Sequence, residues 1–194
     1  MSQFTIIEDC SPYYIRFTHP GLTELVNYCK ECLPKFQGTK FFKQYVLPPT
    51  EAINVLEKTP ISKLMPLEHN RVSLFVSAPG LYYRAHKDGL NHRLSINYTI
   101  VVDDDKCLTS WWDDDDLKRY PIDNLHGRSR ECIGFNPATH TPLKSMIASP
   151  GECILFNTEI FHDWDNQASN NFRVVLTLRI KSPLTGTTYF EDAK

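Results

Sequence analysis

His86-Lys87-Asp88 offers an imidazole and a carboxylate on alternate positions, His162 adds a second imidazole, and Arg173 puts a cation into the strand-like run that follows. Two neutral imidazoles and one carboxylate cover one face of an octahedral iron(II) and leave three positions open, as an oxidative metal centre requires. An arginine near such a centre presents a planar fork to a carboxylate, which would anchor and orient an acidic co-substrate such as 2-oxoglutarate. The pair alone is weak. Seven histidines and 23 acidic residues in 194 positions yield roughly one His-x-Asp/Glu by chance. By spacing alone, His86 and Asp88 equally describe a loop ion pair, and His162 a satisfied, half-buried histidine.

The elements that must position these residues read as β-strands. If Leu81 to His86 is a strand, Tyr82, Arg84 and His86 share a face and Asp88 continues in that direction. The run Arg93 to Val102 then sets Arg93, Ser95, Asn97 and Thr99 on one face against Leu94, Ile96, Tyr98 and Ile100 on the other. In Phe172 to Ile180, Arg173, Val175, Thr177 and Arg179 alternate with Val174, Leu176, Leu178 and Ile180, so Arg173 projects inward and needs an anion. Ser95, Asn97 and Thr177 stand ready to add hydrogen bonds to the same ligand.

Further strands are expected at Phe4 to Ile7, Tyr13 to Phe17, Val72 to Val76 and Glu152 to Phe156. The β character dominates from Arg71 onward and suggests a sandwich or barrel. Two helices precede it. One carries Leu22, Leu25, Val26, Cys29, Cys32 and Leu33 at helical spacing and stops at Pro34; the other runs from Glu51 to Lys58 behind a Thr50 cap and ends before Pro60. Both should pack on one sheet. The polar stretch from Asp113 to Thr141 has little periodicity and reads as a lid or insert loop.

Length and a 41% hydrophobic content suit one domain, residues 1–194, with 1–70 as an α/β support and 71–180 as the β core. A net charge of -2 carries no basic signature, so neither nucleic acid nor an anionic membrane is expected as a partner. No apolar run is long enough to span a bilayer. Six irregularly spaced cysteines read as reduced thiols of a cytoplasmic protein, and Cys29-Lys-Glu-Cys32 as helix thiols rather than half a zinc site.

Two separated segments carry a resemblance. His86-Lys-Asp-Gly-Leu-Asn-His-Arg-Leu-Ser-Ile-Asn97 resembles the proximal metal motif and following strand of the aspartyl/asparaginyl β-hydroxylase-like branch of the 2-oxoglutarate-dependent iron(II) oxygenases. Gly151-Glu-Cys-Ile-Leu-Phe-Asn-Thr-Glu-Ile-Phe-His162, continuing to Arg173, resembles its distal motif: a glycine-led strand, a histidine in a turn and an arginine opening the last strand. The likeness spans roughly residues 71–180. It implies a mainly β (α+β) fold, a double-stranded β-helix or cupin-like jelly-roll, with N-terminal helices packed on one sheet. It further implies iron(II) held by the catalytic set His86, Asp88 and His162, 2-oxoglutarate anchored by Arg173, and O₂ as the second co-substrate. Asn97 stands where the family often has a histidine and Ser95 where an arginine occurs. Vertebrate-type members replace the carboxylate ligand by glycine, whereas this chain keeps Asp88.

The activity so implied is hydroxylation of a C–H bond in a small molecule, amino acid or peptide, with release of succinate and CO₂. Arg84, Tyr82, His92 and Trp112 are the expected substrate contacts, Arg84 suiting a carboxylate and Trp112 a stacked ring. The alternative is a cupin-like metal- or ligand-binding barrel without oxygenase activity, since fold alone does not decide function. Arg173 separates the two: a barrel that never meets a diacid has little reason to bury a cation there. A zinc hydrolase would need a general-base carboxylate, and neither Glu152 nor Glu159 is placed for it.

Overall fold

The computed structural model describes residues 5–18, 22–32, 43–48, 72–88, 94–101, 106–113, 118–122, 130–134 and 140–180, with the single positions 50, 54 and 57. Its strands form two antiparallel sheets. The larger contains Thr5–Cys10 (β1), Tyr14–Thr18 (β2), Lys43–Val46 (β3), Ser73–Ser77 (β4), Leu94–Val101 (β6), Cys153–Asn157 (β11) and Arg173–Arg179 (β13), ordered β1-β2-β11-β6-β13-β4-β3. The smaller contains Tyr82–His86 (β5), Leu108–Trp112 (β7), Lys118–Ile122 (β8), Arg130–Gly134 (β9), Lys144–Ile147 (β10) and Phe161–Asp165 (β12), ordered β10-β7-β12-β5-β9-β8. From β5 to β7 and again from β11 to β13 the chain crosses between sheets at each step, which is consistent with the expected jelly-roll.

The larger sheet is apolar on its outer face. Leu74, Val76, Leu94, Ile96, Tyr98, Ile100, Cys153, Leu155, Val174, Leu176, Leu178 and Ile180 form one buried cluster there. The helix Leu22–Cys32 (α1) closes it, with Cys29 fully buried and Val26 and Tyr28 packed against it. A fully buried Leu, Ile or Val is worth about 1.5–3 kcal/mol. This outer layer therefore carries much of the stability and frees the inner face for polar side chains. Between the sheets a second cluster joins Tyr14, Ile154 and Phe156 to Trp111, Met146 and Ala148.

Several expectations need correction. The first expected helix is present, but it is the one continuous helix among the described residues, and residues 51–58 of the second lie largely outside them. The stretch expected as a loop contains β8 and β9, which pair with each other and extend the smaller sheet through His86↔Cys132. Their strand form owes more to ladder pairing than to any alternation of residue types. His162 lies in β12 rather than in a turn, between β5 and β7. No helix among the described residues is long and apolar enough to cross a membrane.

Candidate metal centre

His162 and His86 face each other across the β12–β5 ladder, their ring centroids 4.6 Å apart. Asp88 follows two residues past the end of β5, and its backbone N–H donates to the Thr158 carbonyl at 3.2 Å, tying the early pair to the turn that precedes His162. That turn is itself pinned. Asn157, fully buried, donates from Nδ2 to the Pro12 carbonyl and accepts from the Glu159 N–H, both at 3.0 Å. Gly151, at φ +85°, makes the left-handed turn into β11 that a side chain would strain, which is why a glycine leads this segment.

One ligand atom from each of His86, Asp88 and His162 lies within 4.8 Å of the others. Both imidazoles are oriented for this. His86 Nδ1 meets the Arg84 carbonyl at 2.9 Å and His162 Nδ1 the Ile160 carbonyl at 2.8 Å. A carbonyl oxygen only accepts, so each Nδ1 carries the proton and each Nε2 keeps its lone pair for a metal. His86 Nε2 stands 3.6 Å from Asp88 Oδ1. The donor set, two neutral nitrogens and one carboxylate oxygen, suits iron(II) or a similar divalent ion.

The electrostatics agree. Burial works to raise the Asp88 carboxyl, but the Arg179 guanidinium outweighs it and holds Asp88 well below the usual carboxylate range. Burial, helped by the neighbouring His86, pushes His162 down to about 3, so it is neutral at pH 7. Asp163 is pushed up to about 6 by burial, despite hydrogen bonds from Tyr82, Trp112 and the Ser110 N–H.

A pH dependence of stability follows from these shifts. His162 is neutral in the fold down to about 3 but takes a proton near 6.5 when unfolded, so stability is lost as pH falls below 6.5. Asp163 runs the other way, losing stability as pH rises from 3.8 to about 6, but its shift is smaller. The thermal midpoint of metal-free protein should therefore fall from pH 7 to pH 4, with a shallower slope in His162→Gln. Equal slopes would contradict the neutral burial of His162.

Arg173 is buried between the sheets, only 7% exposed. Its Nη2 donates to Thr109 Oγ1 of β7 at 3.0 Å, across the sandwich, and its guanidinium lies 5.8 Å from the Trp164 ring centroid. Its Nε and Nη1 are buried without a hydrogen-bond partner among the described residues, as are the hydroxyls of Ser77 and Thr99. Ser77 is the residue directly opposite Arg173 on β4. Unpaired buried donors cost about 1–3 kcal/mol each, more when charged. An anion bound here would relieve that cost.

The other expected site residues fall differently. Thr177 donates to Asn97 Oδ1 at 2.8 Å, and Ser95 accepts from Arg179 Nη1 at 2.6 Å, so all three expected keto-acid contacts are already engaged. Tyr82 and Trp112 do not share the His86 face. Both donate to Asp163 Oδ2, at 2.9 and 2.8 Å, on the opposite side of the smaller sheet from His162. The cause is a bulge: His162 pairs with His86 but Trp164 with Tyr83, so Arg84 and Ala85 together oppose Asp163 alone. Strict alternation is broken and Tyr83 takes the inward position, 4.9 Å from the His86 ring and stacked on Trp164 at 5.1 Å. Arg84 is exposed, and His92 lies outside the described residues. Sequence reasoning assigned no role to Tyr83, Trp164, Thr109 or Arg179; of these, only Arg179 carried a signal, as a second cation on the inward side of β13.

No protein-family model matches the chain, and no curated protein sequence matches it significantly. Solved structures do. EvdO2 from Micromonospora carbonacea var. aurantiaca aligns at TM-score 0.63 with 13% identity over 95% of each chain, and its complex with 2-oxoglutarate at 0.61 with 14% identity over the same shares. HygX from Streptomyces hygroscopicus, with nickel and 2-oxoglutarate bound, aligns at 0.55 with 9% identity over 88% of this chain and 83% of that one. SnoN, a non-heme alpha-ketoglutarate-dependent epimerase from nogalamycin biosynthesis, aligns at 0.53 with 10% identity over 87% and 76%. At such identities the likeness is one of fold. It does not single out the aspartyl/asparaginyl β-hydroxylase-like branch.

Proposed function

We propose that the protein is a non-heme iron(II), 2-oxoglutarate-dependent dioxygenase that hydroxylates a C–H bond of a small molecule, amino acid or peptide. The observation that carries this reading is the pairing of two features joined by the Tyr83 and Trp164 rings. Three metal-ligating groups converge within 4.8 Å, and a buried arginine has two donors without a partner among the described residues. A metal-binding barrel of another kind accounts for the first and leaves the second unexplained. That EvdO2 and HygX were solved with 2-oxoglutarate, and HygX with nickel, supports the reading through the shared fold.

When bound, iron(II) and 2-oxoglutarate supply an oxidative decarboxylation, in which one atom of O₂ enters succinate and the other the hydroxylated product, with CO₂ released. The chain's residues do the positioning. His86, Asp88 and His162 would hold the metal on one face, and Arg173 would take the far carboxylate of the keto acid by a charge-assisted contact, with the Ser77 and Thr99 hydroxyls free to join. The stacked Tyr83 and Trp164 rings form an apolar wall reaching from His86 to Arg173 and would exclude water from the keto acid's methylenes. Tyr82 and Trp112 have no part in substrate contact, since their polar ends are occupied by Asp163. Membership of the aspartyl/asparaginyl hydroxylase-like branch rests on the two sequence motifs. A cytoplasmic location is proposed with it, in keeping with the thiols of Cys10 and Cys153, which form no disulfide among the described residues.

The test is anaerobic addition of iron(II) and 2-oxoglutarate, watched for a visible charge-transfer band, followed by O₂ and a screen of substrates for succinate release. Product mass then assigns the reaction: one added oxygen for hydroxylation, no change for epimerisation. A protein that develops no band and releases no succinate with any substrate is not this enzyme.

A further inference from the structure

The two oxygens of Asp88 have different partners. Oδ1 faces His86 Nε2 at 3.6 Å, whereas Oδ2 accepts from Arg179 Nη1. The same Nη1 donates to Ser95 Oγ at 2.6 Å, so the guanidinium is held from a second side. Both partners are shielded, with side-chain exposures of 15% for Arg179 and 9% for Asp88. Arg179 reaches this position because β13 and β6 lie in register, Arg179 opposite Ser95, on the inward face that also carries Thr177 and Asn97.

We propose that Arg179 is a positioning residue that holds Asp88 as a one-oxygen metal ligand. The inference rests on reading His86, Asp88 and His162 as a metal site. A carboxylate free to rotate can close on an ion with both oxygens, and larger cations such as calcium readily take it that way. With Oδ2 committed to a guanidinium, only Oδ1 remains, the protein supplies three donor atoms in all, and the rest of the coordination sphere stays open. Arg179 also offsets the carboxylate's charge, which weakens attraction for any dication and leaves geometry to discriminate between ions. Arg179 thus keeps the site open for a chelating co-substrate and biased toward small, octahedral ions.

The experiment uses the metal-free chain with manganese(II) alone as the probe, reading affinity and the number of metal-bound waters from water-proton relaxation. Wild type should bind manganese(II) with about three exchangeable waters. Arg179→Gln should lose one of them, as Asp88 closes on the ion with both oxygens, and should shift the calcium-to-manganese affinity ratio at least fivefold toward calcium. Arg179→Lys, which keeps a cationic donor on Oδ2, should restore the wild-type water number. The same water number and a ratio within twofold of wild type in Arg179→Gln would overturn the proposal. Should Arg179→Gln fail to fold, Ser95→Ala, which removes only the second anchor of Nη1, gives the same comparison: a shift toward calcium supports the assignment and an unchanged ratio overturns it. Failure of wild type to bind manganese(II) at all would instead remove the metal site on which the inference stands.

Discussion

His162→Ala is expected to abolish iron-dependent consumption of 2-oxoglutarate and to weaken divalent-metal binding by well over the 10–100-fold typical of lost outer partners, because a ligand itself is removed. The fold should survive. His162 lies between two paired strands whose ladders do not use its side chain, and among the described residues its ring contacts are Phe156 and His86, each with centroids 4.6 Å away. Truncation also removes a buried imidazole that resists protonation, so acid stability should improve rather than worsen. The measurements are manganese(II) titration, succinate release and the urea unfolding midpoint on one preparation. Retained turnover in a folded variant would refute the ligand role of His162. Lost turnover with unchanged metal affinity would move the role from ligation to some other step.

Arg173→Leu is expected to weaken 2-oxoglutarate binding by about 2–5 kcal/mol, because the buried distal carboxylate would lose its charged partner. That corresponds to roughly a 30-fold to several-thousand-fold rise in Kd. Metal affinity should stay near wild type, since the partners of Arg173 among the described residues are Thr109 and Trp164. The variant should be no less stable without ligand. Leucine removes two buried donors that have no partner among the described residues, together with the desolvated charge that carries them, and such replacements are often neutral or stabilising. Calorimetry with 2-oxoglutarate on the manganese(II)-loaded protein, beside thermal melts without it, separates these effects. Unchanged affinity would assign the co-substrate's far end elsewhere and favour the metal-binding barrel without oxygenase activity.

The larger sheet was largely legible in advance. The alternation in Phe172 to Ile180 and Arg93 to Val102 reflects an apolar outer layer and a polar inner face, and both strands formed within a residue or two of the expected limits. The smaller sheet was less so. Its strands β8, β9 and β12 lack period-two patterning, so pairing partners rather than residue types make them strands. The bulge opposite Asp163 could not be read at all, and it exchanged Tyr82 for Tyr83 on the metal-facing side. Arg179 was visible as an inward cation, but its tie to Asp88 joins residues far apart in the chain.

Residue types and local spacing were enough to nominate His86, Asp88, His162 and Arg173, because imidazoles, a carboxylate and a cation interrupting apolar strands carry their chemistry with them. What those side chains face was decided only by the folded arrangement. Two strands in register brought the imidazoles together, one extra residue in β5 turned a wall of the cavity over, and the crossing between sheets set Thr109 against Arg173. Side-chain type is local information, whereas ladder register and sheet stacking are set by contacts between distant segments, and no window of sequence contains both halves of such a contact.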